Sequence, residues 1–189
     1  MRVISGIAKG KKLKAVPGNI TRPITDRTKE ALFSILGDWI IEARVLDLFG
    51  GTGAVGIEAL SRGAGHVTFV DKNQAATRTI GENLQATGFA SRAFVKRVDV
   101  FNFLKQPPSN LQSYDLIYIA PPQYKQIWTK VIQFIDEQLD NWLHADGVII
   151  AQIHPVEYQE LVLQNLALYD KRKYGSTLLC FYEQLDKGG

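Results

Sequence analysis

A glycine-rich segment of the chain has the spacing of a nucleotide-binding loop. Residues 47–56 read DLFGGTGAVG, in which Gly51, Gly53 and Gly56 follow the pattern G-x-G-x-x-G. Glycines at these positions let the backbone approach a ligand closely and let the following helix pack against a strand. Several classes of nucleotide site share the pattern, and a purely structural tight turn is an alternative. The loop therefore predicts a ligand without identifying it.

The residue that precedes the loop helps to distinguish the ligands. A pyrophosphate group prefers the N–H dipoles of a helix start, and the carboxylate of Asp47 would repel it. S-adenosylmethionine instead presents an ammonium and a sulfonium group, which a carboxylate favours. Charge complementarity therefore favours S-adenosylmethionine over NAD as the cofactor.

Two more acidic residues end strand-like segments. Asp71 ends the second segment, about 20 residues beyond the loop, where a carboxylate can accept hydrogen bonds from both ribose hydroxyls. Asp99 ends the third strand-like segment and is a candidate acceptor for the adenine amino group. Helix N-capping is the alternative role for both residues. We expect the cofactor to contact ten residues at three strand ends: Asp47, Phe49, Gly50, Gly51, Thr52, Gly53, Asp71, Lys72, Asp99 and Val100.

The catalytic candidates lie in a Pro-Pro turn, IAPPQY, at residues 119–124. Because proline has no N–H, the turn leaves the carbonyls of Ala120 and Pro121 available as acceptors. Accepting hydrogen bonds from the N–H groups of a base amine concentrates electron density on its nitrogen, whose lone pair is otherwise delocalised into the ring. The ring of Tyr124 could stack on the base, and a plain turn with a packed tyrosine is the alternative. The predicted catalytic segment comprises Ala120, Pro121, Pro122, Gln123 and Tyr124.

Basic residues are concentrated at the N-terminus. Residues 1–29 hold eight basic side chains and one acidic one, whereas the rest of the chain holds 14 basic and 18 acidic residues. This arm suggests a polyanionic partner, and a solvated tail is the alternative. No aromatic residue precedes Phe33, so the arm would bind phosphates rather than stack on bases. The basic residues expected to contact such a partner are Arg2, Lys9, Lys11, Lys12, Lys14, Arg22 and Arg27.

Hydrophobic patterning predicts the elements that position these residues. Apolar strand-like segments alternate with helical patterns, which is typical of a parallel sheet covered by helices. Strands are predicted at 44–49, 66–71, 93–99, 114–120 and 147–154. Helices are predicted from Thr25 and Asp26 onward and near 54–62, 73–87, 125–143 and 155–166. Two more strand-like runs meet near Gly175 as an antiparallel hairpin, so the predicted class is a three-layer, doubly wound α/β fold.

Several segments together match one protein family far more specifically than the glycine loop does. They are RVISGIAKGKKL, RPITDRTKEALFSIL, DLFGGTGAVGIEALSRGA, VDKN, the Pro-Pro turn and KRKYGST. Through these segments the chain resembles, nearly end to end, the bacterial 16S rRNA guanine-N2 methyltransferases that modify guanine 966. The resemblance implies a Rossmann-like class I methyltransferase domain at 21–189, whose mostly parallel seven-stranded sheet ends in an antiparallel hairpin. It further implies a small basic N-terminal arm or hairpin at 1–20 that contacts RNA, and an RNA-binding or catalytic face that includes Arg22, Thr25, Asp26 and Arg27.

The resemblance implies S-adenosylmethionine-dependent methylation of the exocyclic N2 amine of a guanine in 16S rRNA. The family usually has an acidic residue or Asn before Pro-Pro and an aromatic residue directly after, whereas this chain has Ala120 and Gln123. The side-chain acceptor for the amine is therefore missing, and our hypothesis is that backbone carbonyls, helped by Gln123, hold the amine. The alternatives are a catalytically impaired RNA-binding or ribosome-assembly factor, another nucleic-acid amino-methyltransferase, and an NAD(P)-dependent oxidoreductase.

The remaining features predict a soluble protein that binds no metal. His66, His144 and His154 lack metal-ligand spacing with one another or with Cys180, which we expect to be a buried core thiol. No apolar run reaches the length of a membrane span and the N-terminus lacks an apolar signal region, so we expect a cytoplasmic location. We expect a monomer whose partner is 16S rRNA or a small-subunit particle.

Overall fold

The computed structural model describes residues 1–18, 24–107 and 113–185, and it divides into two compact units, Met1–Val100 and Phe101–Gly189. The helices of the first unit are α1 (Asp26–Leu36), α2 (Ala54–Ser61) and α3 (Gln74–Thr87). Its strands are β1 (Arg44–Leu48), β2 (His66–Asp71) and β3 (Ala93–Arg97). Short 3-10 helices cover Gly37–Ile40 and Ala90–Arg92.

Three parallel strands form the sheet of the first unit, in the order β3-β2-β1. β1 and β2 are buried along nearly their whole length, as expected for parallel strands that are covered on both faces. α1 begins where the sequence predicts, because the side chain of Thr25 accepts the N-cap hydrogen bond from the backbone N–H of Thr28.

The first 18 residues form a short hairpin with a single bridge, between Arg2 and Lys12. Backbone hydrogen bonds from Val3 to the Lys11 carbonyl and from Gly10 to the Val3 carbonyl, both 2.9 Å long, close it. Gly6 and Gly10 have positive φ angles, which place the turns where glycine is the residue that adopts them without strain.

α4 (Val100–Leu104) begins at the last residue of the first unit, and the other elements belong to the second unit. The helices there are α5 (Ile127–Asp136) and α6 (Leu139–Trp142), with a 3-10 turn at Pro155–Glu157. The strands are β4 (Tyr114–Ile119), β5 (Leu143–Ile153), β6 (Leu166–Tyr174) and β7 (Thr177–Gln184).

The strands of the second unit lie in the order β4-β5-β7-β6. β4 and β5 are parallel, whereas β7 runs antiparallel to both β5 and β6. Gly175, with φ of 58°, makes the turn between β6 and β7. The first unit thus has three parallel strands and the second a parallel pair that continues into an antiparallel hairpin, and the predicted α/β class is confirmed.

Two helix predictions in the second unit are wrong. The pattern at 125–143 is two helices, and β5 already begins at Leu143 rather than at 147. The helix predicted at 155–166 is a three-residue 3-10 turn followed by irregular backbone. Its apolar spacing is misleading because Val162 is 96% exposed and packs no helical face. Instead, the buried carboxylate of Asp136 accepts backbone N–H bonds from Gln164, Asn165 and Leu166, which holds the segment in an extended approach to β6.

Cys180 is fully buried in β7, and burial raises the pKa of its thiol to about 12, so the predicted core thiol is confirmed. Among the helices that the structure describes, none combines the length and the hydropathy required to cross a bilayer.

Candidate active site

Asp47 is a buried carboxyl in β1, directly before the glycine loop. Its side chain is 2% exposed, and Oδ2 accepts a hydrogen bond of 3.1 Å from the backbone N–H of Gly56. Burial raises the pKa of Asp47 to about 8, against the lowering effect of that hydrogen bond, and the nearby charge of Asp71 raises it further. The first unit therefore holds a carboxyl that would gain from a cationic partner.

This pKa corrects one step of the sequence argument. With a pKa of about 8, Asp47 is mostly protonated at neutral pH and does not strongly repel a pyrophosphate. A cation placed beside it would lower the pKa and release the proton, whereas an anion would not. A cationic ligand beside Asp47 would therefore be favoured through proton release on binding, and not through repulsion of a dinucleotide.

The glycine loop has the backbone geometry that its spacing predicts. Gly51 and Gly53 have φ angles of 55° and 77°, and Gly53 is the residue from which α2 begins. A Cβ on Gly56 would lie 2.3 Å from a ring carbon of Phe69 in β2, so only glycine lets α2 pack this closely on the sheet. Phe49 also has a positive φ, of 64°, in a residue that is not glycine. Such strain persists where the surroundings impose it, and it is enriched at ligand sites.

Asp71 ends β2 and is half-buried, and its carboxylate braces the glycine loop. Oδ2 accepts the N–H of Gly51 at 3.0 Å, and Oδ1 accepts the N–H of Asn73 at 2.8 Å. The N-cap of α3 is Asn73, whose side chain accepts from Ala75 and Ala76, so the N-cap alternative for Asp71 is wrong. Each carboxylate oxygen has a second lone pair, so acceptor capacity for ribose hydroxyls remains.

The other cofactor candidates lie along the same segments. Thr52 is buried, and its carbonyl accepts a hydrogen bond from Asn83 of α3, whereas Lys72 is exposed. Half-buried Asp99 directly precedes α4, which is the position of an N-cap, and the following Val100 is 3% exposed. The structure thus places eight candidates at the ends of β1 and β2 and in the loop, and two beyond β3.

In the second unit, the Pro-Pro segment directly follows β4 and carries the exposed ring of Tyr124. Ala120, Pro121 and Gln123 are half-buried, Pro122 is exposed, and the side chain of Tyr124 is 66% exposed. Tyr124 has a φ of 62°, and its ring centroid lies 5.6 Å from that of His154. The packed-tyrosine alternative is therefore wrong, since this ring is available to a ligand.

Glu157 contacts the Pro-Pro segment, and sequence reasoning did not identify it. It is 5% exposed in the turn after β5, and its Oε1 accepts the backbone N–H of Tyr124 at 2.7 Å. The sequence pattern predicted a helix at 155–166 and gave no indication of this contact. The one available signal was its position directly after the His154-Pro155 break that ends β5.

The predicted phosphate-binding side chains lie on the N-terminal hairpin and at the start of α1. Lys9, Lys11 and Lys12 are exposed, whereas Lys14 pairs with Glu82 at 2.9 Å. At the start of α1, Arg27 and Thr25 are exposed, Asp26 is half-buried, and Arg2 lies 3.5 Å from Asp26. Arg22 lies outside the described residues.

A buried network fixes this hairpin to the first unit. Oε1 and Oε2 of Glu58 accept the backbone N–H groups of Ser5 and Ile4, and Lys29 donates to the Arg2 carbonyl at 2.6 Å.

Residue 6 must be glycine, because a Cβ there would lie 1.8 Å from the Ser61 carbonyl oxygen. The hairpin is therefore a docked part of the unit and presents its lysines from a fixed backbone. Sequence reasoning missed Lys29 and Glu58.

The described ranges contain no group of three His, Cys, Asp or Glu side chains that could hold a metal ion.

Residues 1–183 match a protein family described as Conserved hypothetical protein 95. The chain belongs to this family. The match covers nearly the whole chain and confirms the family resemblance carried by the sequence motifs.

Relatives with named functions extend this assignment. The Bacillus subtilis protein YlbH, described as an rRNA methyltransferase, is 39% identical over 185 residues, 97% of this chain and 99% of its own. The Ribosomal RNA small subunit methyltransferase D of Escherichia coli K12 is 29% identical over 188 residues, 100% of this chain and 92% of its own. The solved structure of Escherichia coli yhhF, described as a methyltransferase, aligns with a TM-score of 0.84 at 29% identity and covers 97% of both chains. The fold is therefore that of the class I methyltransferases.

Proposed function

We propose that this chain is an S-adenosylmethionine-dependent methyltransferase that acts on rRNA of the small ribosomal subunit. The observation that carries the proposal is the buried Asp47 carboxyl beside a glycine loop with positive φ angles, in a chain whose relatives are named as rRNA methyltransferases. The finer proposal is that the methyl group goes to the exocyclic N2 amine of a guanine. The sequence motifs that resemble those of the guanine-N2 methyltransferases support that choice of atom.

The residues present fit the cofactor. The Asp47 carboxyl, 2% exposed and with its pKa raised to about 8, suits an ammonium or sulfonium group. Gly51 and Gly53 have positive φ angles and no side chain, so the loop backbone can approach a ligand closely. We propose that Asp47 and the Gly50–Gly53 loop hold the methionine part, Asp71 the ribose and Asp99 the adenine edge. When bound, S-adenosylmethionine supplies an activated methyl group on its sulfonium sulfur.

The chain's own residues prepare the nucleophile. We propose that the carbonyl oxygens of Ala120 and Pro121 accept hydrogen bonds from the two N–H groups of the target amine, while Tyr124 stacks on the base. Holding those protons directs the nitrogen lone pair away from the turn. Gln123 offers an amide oxygen as a further acceptor, in place of the side chain that Ala120 lacks.

Ala120 also supports a second candidate, an RNA-binding or ribosome-assembly factor that keeps the fold and has lost methyl transfer. Both candidates bind S-adenosylmethionine and RNA, so binding does not separate them. Turnover does.

The test is methyl transfer with a labelled cofactor. Purified protein is incubated with carbon-13-methyl S-adenosylmethionine and either unmodified 16S rRNA or small-subunit particles, and the nucleosides are analysed by mass spectrometry. We expect labelled N2-methylguanosine, at a level that Asp47→Asn strongly reduces. Calorimetric binding of the cofactor without labelled nucleoside would instead identify the non-catalytic factor.

A further inference from the structure

Tyr124 has a backbone conformation that a tyrosine does not adopt without support. Its φ is 62°, in the left-handed region where a side chain with a Cβ is strained. Gln126, two residues on, is also in this region with a φ of 51°. Positive φ angles at such residues persist only where surrounding contacts impose them. We therefore expect contacts from residues outside this segment to hold its backbone in place.

Glu157 supplies that support. Its carboxylate is 5% exposed and accepts the N–H of Tyr124 at 2.7 Å, the length of a strong charge-assisted hydrogen bond. The same residue accepts a second bond through its backbone carbonyl, from the side-chain amide of Gln126 at 3.5 Å. Glu157 thus contacts both residues of the segment that have positive φ angles.

The turn that carries Glu157 also places a second ring beside Tyr124. The N–H of Glu157 donates to the carbonyl of His154 at 2.9 Å, which closes the turn. The His154 ring lies 5.6 Å from the Tyr124 ring at an interplanar angle of 42°. One turn therefore fixes the backbone of Tyr124 and limits the directions in which its exposed ring can point.

We propose that Glu157 is a positioning residue that holds the ring of Tyr124 in the orientation in which it stacks on the target base. This inference rests on the proposed function and adds to it the residue that orders the stacking platform. Glu157 acts through the Tyr124 N–H and does not touch the substrate. Its effect on the reaction should therefore depend on the presence of the tyrosine ring.

A double-mutant cycle tests this dependence. The variants are Glu157→Ala, Tyr124→Ala and their combination, with Glu157→Gln as the conservative variant that keeps an acceptor oxygen. Glu160→Ala removes an exposed carboxylate three residues away and serves as the matched control. Methyl transfer gives kcat and KM, RNA affinity is measured without cofactor, and amide hydrogen exchange reports the Tyr124 N–H directly.

Tyr124→Ala should lower kcat/KM by about tenfold or more, the usual effect of losing a base-stacking ring. Glu157→Ala should come close to that loss, whereas Glu157→Gln and Glu160→Ala should stay within about threefold of the parent protein. In the Tyr124→Ala background, Glu157→Ala should add less than about twofold. Cofactor affinity should be unchanged throughout, and the Tyr124 amide should exchange quickly only in the Glu157→Ala protein.

An equal loss from Glu157→Ala with and without the ring would overturn the proposal, because it would indicate a general effect on folding. Fast exchange of the Tyr124 amide in the parent protein would also overturn it. If the parent protein transfers no methyl group, the proposed function fails on its own. The cycle on RNA affinity and the amide exchange then still decide the role of Glu157.

Discussion

Lys29 of α1 and Glu58 of α2 form an ion pair that is entirely buried. The Lys29 Nζ lies 3.2 Å from the Glu58 Oε2, and both side chains have 0% exposure. Arg62 contacts the other carboxylate oxygen at 2.9 Å, and two backbone N–H groups of the N-terminal hairpin complete the environment of Glu58. A buried pair is retained only when such additional bonds satisfy its polar atoms. Two helices and the basic hairpin are therefore joined at one charge cluster.

Glu58→Gln should destabilise the protein strongly. The substitution keeps the shape but leaves the Lys29 ammonium buried without a counter-charge, which costs about 3–5 kcal/mol in comparable cases. Denaturant unfolding measures the change. Arg78→Ala, which removes an exposed partner of Glu82, is the control and should change stability by less than about 1 kcal/mol. Similar losses in the two variants would show that the buried pair has no special role.

Cofactor binding should release a proton from Asp47. Its pKa is raised to about 8 in the free protein, and a bound cation stabilises the ionised form. Below that pKa one proton must leave, so affinity for S-adenosylmethionine should rise about tenfold per pH unit between roughly pH 6 and 7. Calorimetry in two buffers of different ionisation enthalpy counts the protons. Asp47→Asn should bind more weakly and release none, and equal proton release from both proteins would remove Asp47 from this role.

The same pKa has a consequence for the free protein. The folded-state value of about 8 exceeds the ordinary value of 3.8, so between these pH values the folded state keeps a proton that the unfolded state has lost. This contribution to stability is fully present below pH 3.8 and is lost as the pH rises through about 8. Stability of the parent protein relative to Asp47→Asn should therefore fall from pH 5 to pH 8.

Asp71→Ala should raise the dissociation constant for S-adenosylmethionine tenfold or more. A hydrogen bond to a charged group contributes about 1.5–3 kcal/mol, and this carboxylate also orders the loop through the Gly51 N–H. Isothermal titration calorimetry measures the change. Asn73→Ala, which removes the neighbouring N-cap of α3 without removing a carboxylate, is the control. An unchanged dissociation constant in Asp71→Ala would exclude Asp71 from the cofactor site.

Replacing Lys9, Lys11 and Lys12 by Gln should weaken RNA binding and leave cofactor affinity unchanged. For each ammonium group that no longer binds a phosphate, the slope of log affinity against log salt should decrease in magnitude by about 0.7–0.9. Deleting residues 2–14 is a poorer test, because Val3 and Leu13 are buried and the deletion would expose apolar surface. The matched control removes three other exposed lysines, Lys96, Lys130 and Lys173. Equal weakening in the control would mean that net charge, rather than the hairpin, binds RNA.

Much of the fold was predictable because its signals are local. The strands are apolar runs bounded by turns, α1 starts at a capping threonine, and Gly56 belongs to the glycine pattern that precedes a closely packed helix. The segment after β5 was not predictable in this way. Its extended backbone depends on Asp136, about 28 residues earlier in the chain, whose carboxylate competes successfully with helix formation.

In the candidate site, too, local sequence signals were predictable and long-range contacts were not. Spacing identifies Asp47 and the glycine loop, but the raised pKa of Asp47 depends on burial, which spacing does not specify. Glu157 and Glu58 were missed because each contacts backbone groups that are distant in the sequence, at Tyr124 and at Ile4 and Ser5. Within the segment ALSRGA, Ser61 docks the N-terminal hairpin, because its hydroxyl accepts the N–H of Ala8 and donates to the carbonyl of Ser5.

We propose that this chain methylates a guanine amine in small-subunit rRNA. The most direct test of this proposal is quantitative mass spectrometry of 16S rRNA nucleosides from cells with the gene, without it, and with the Asp47→Asn form restored. We predict that N2-methylguanosine falls by one residue per 16S rRNA when the gene is absent and returns only with the unmodified protein. An unchanged nucleoside profile in all three strains would contradict the claim.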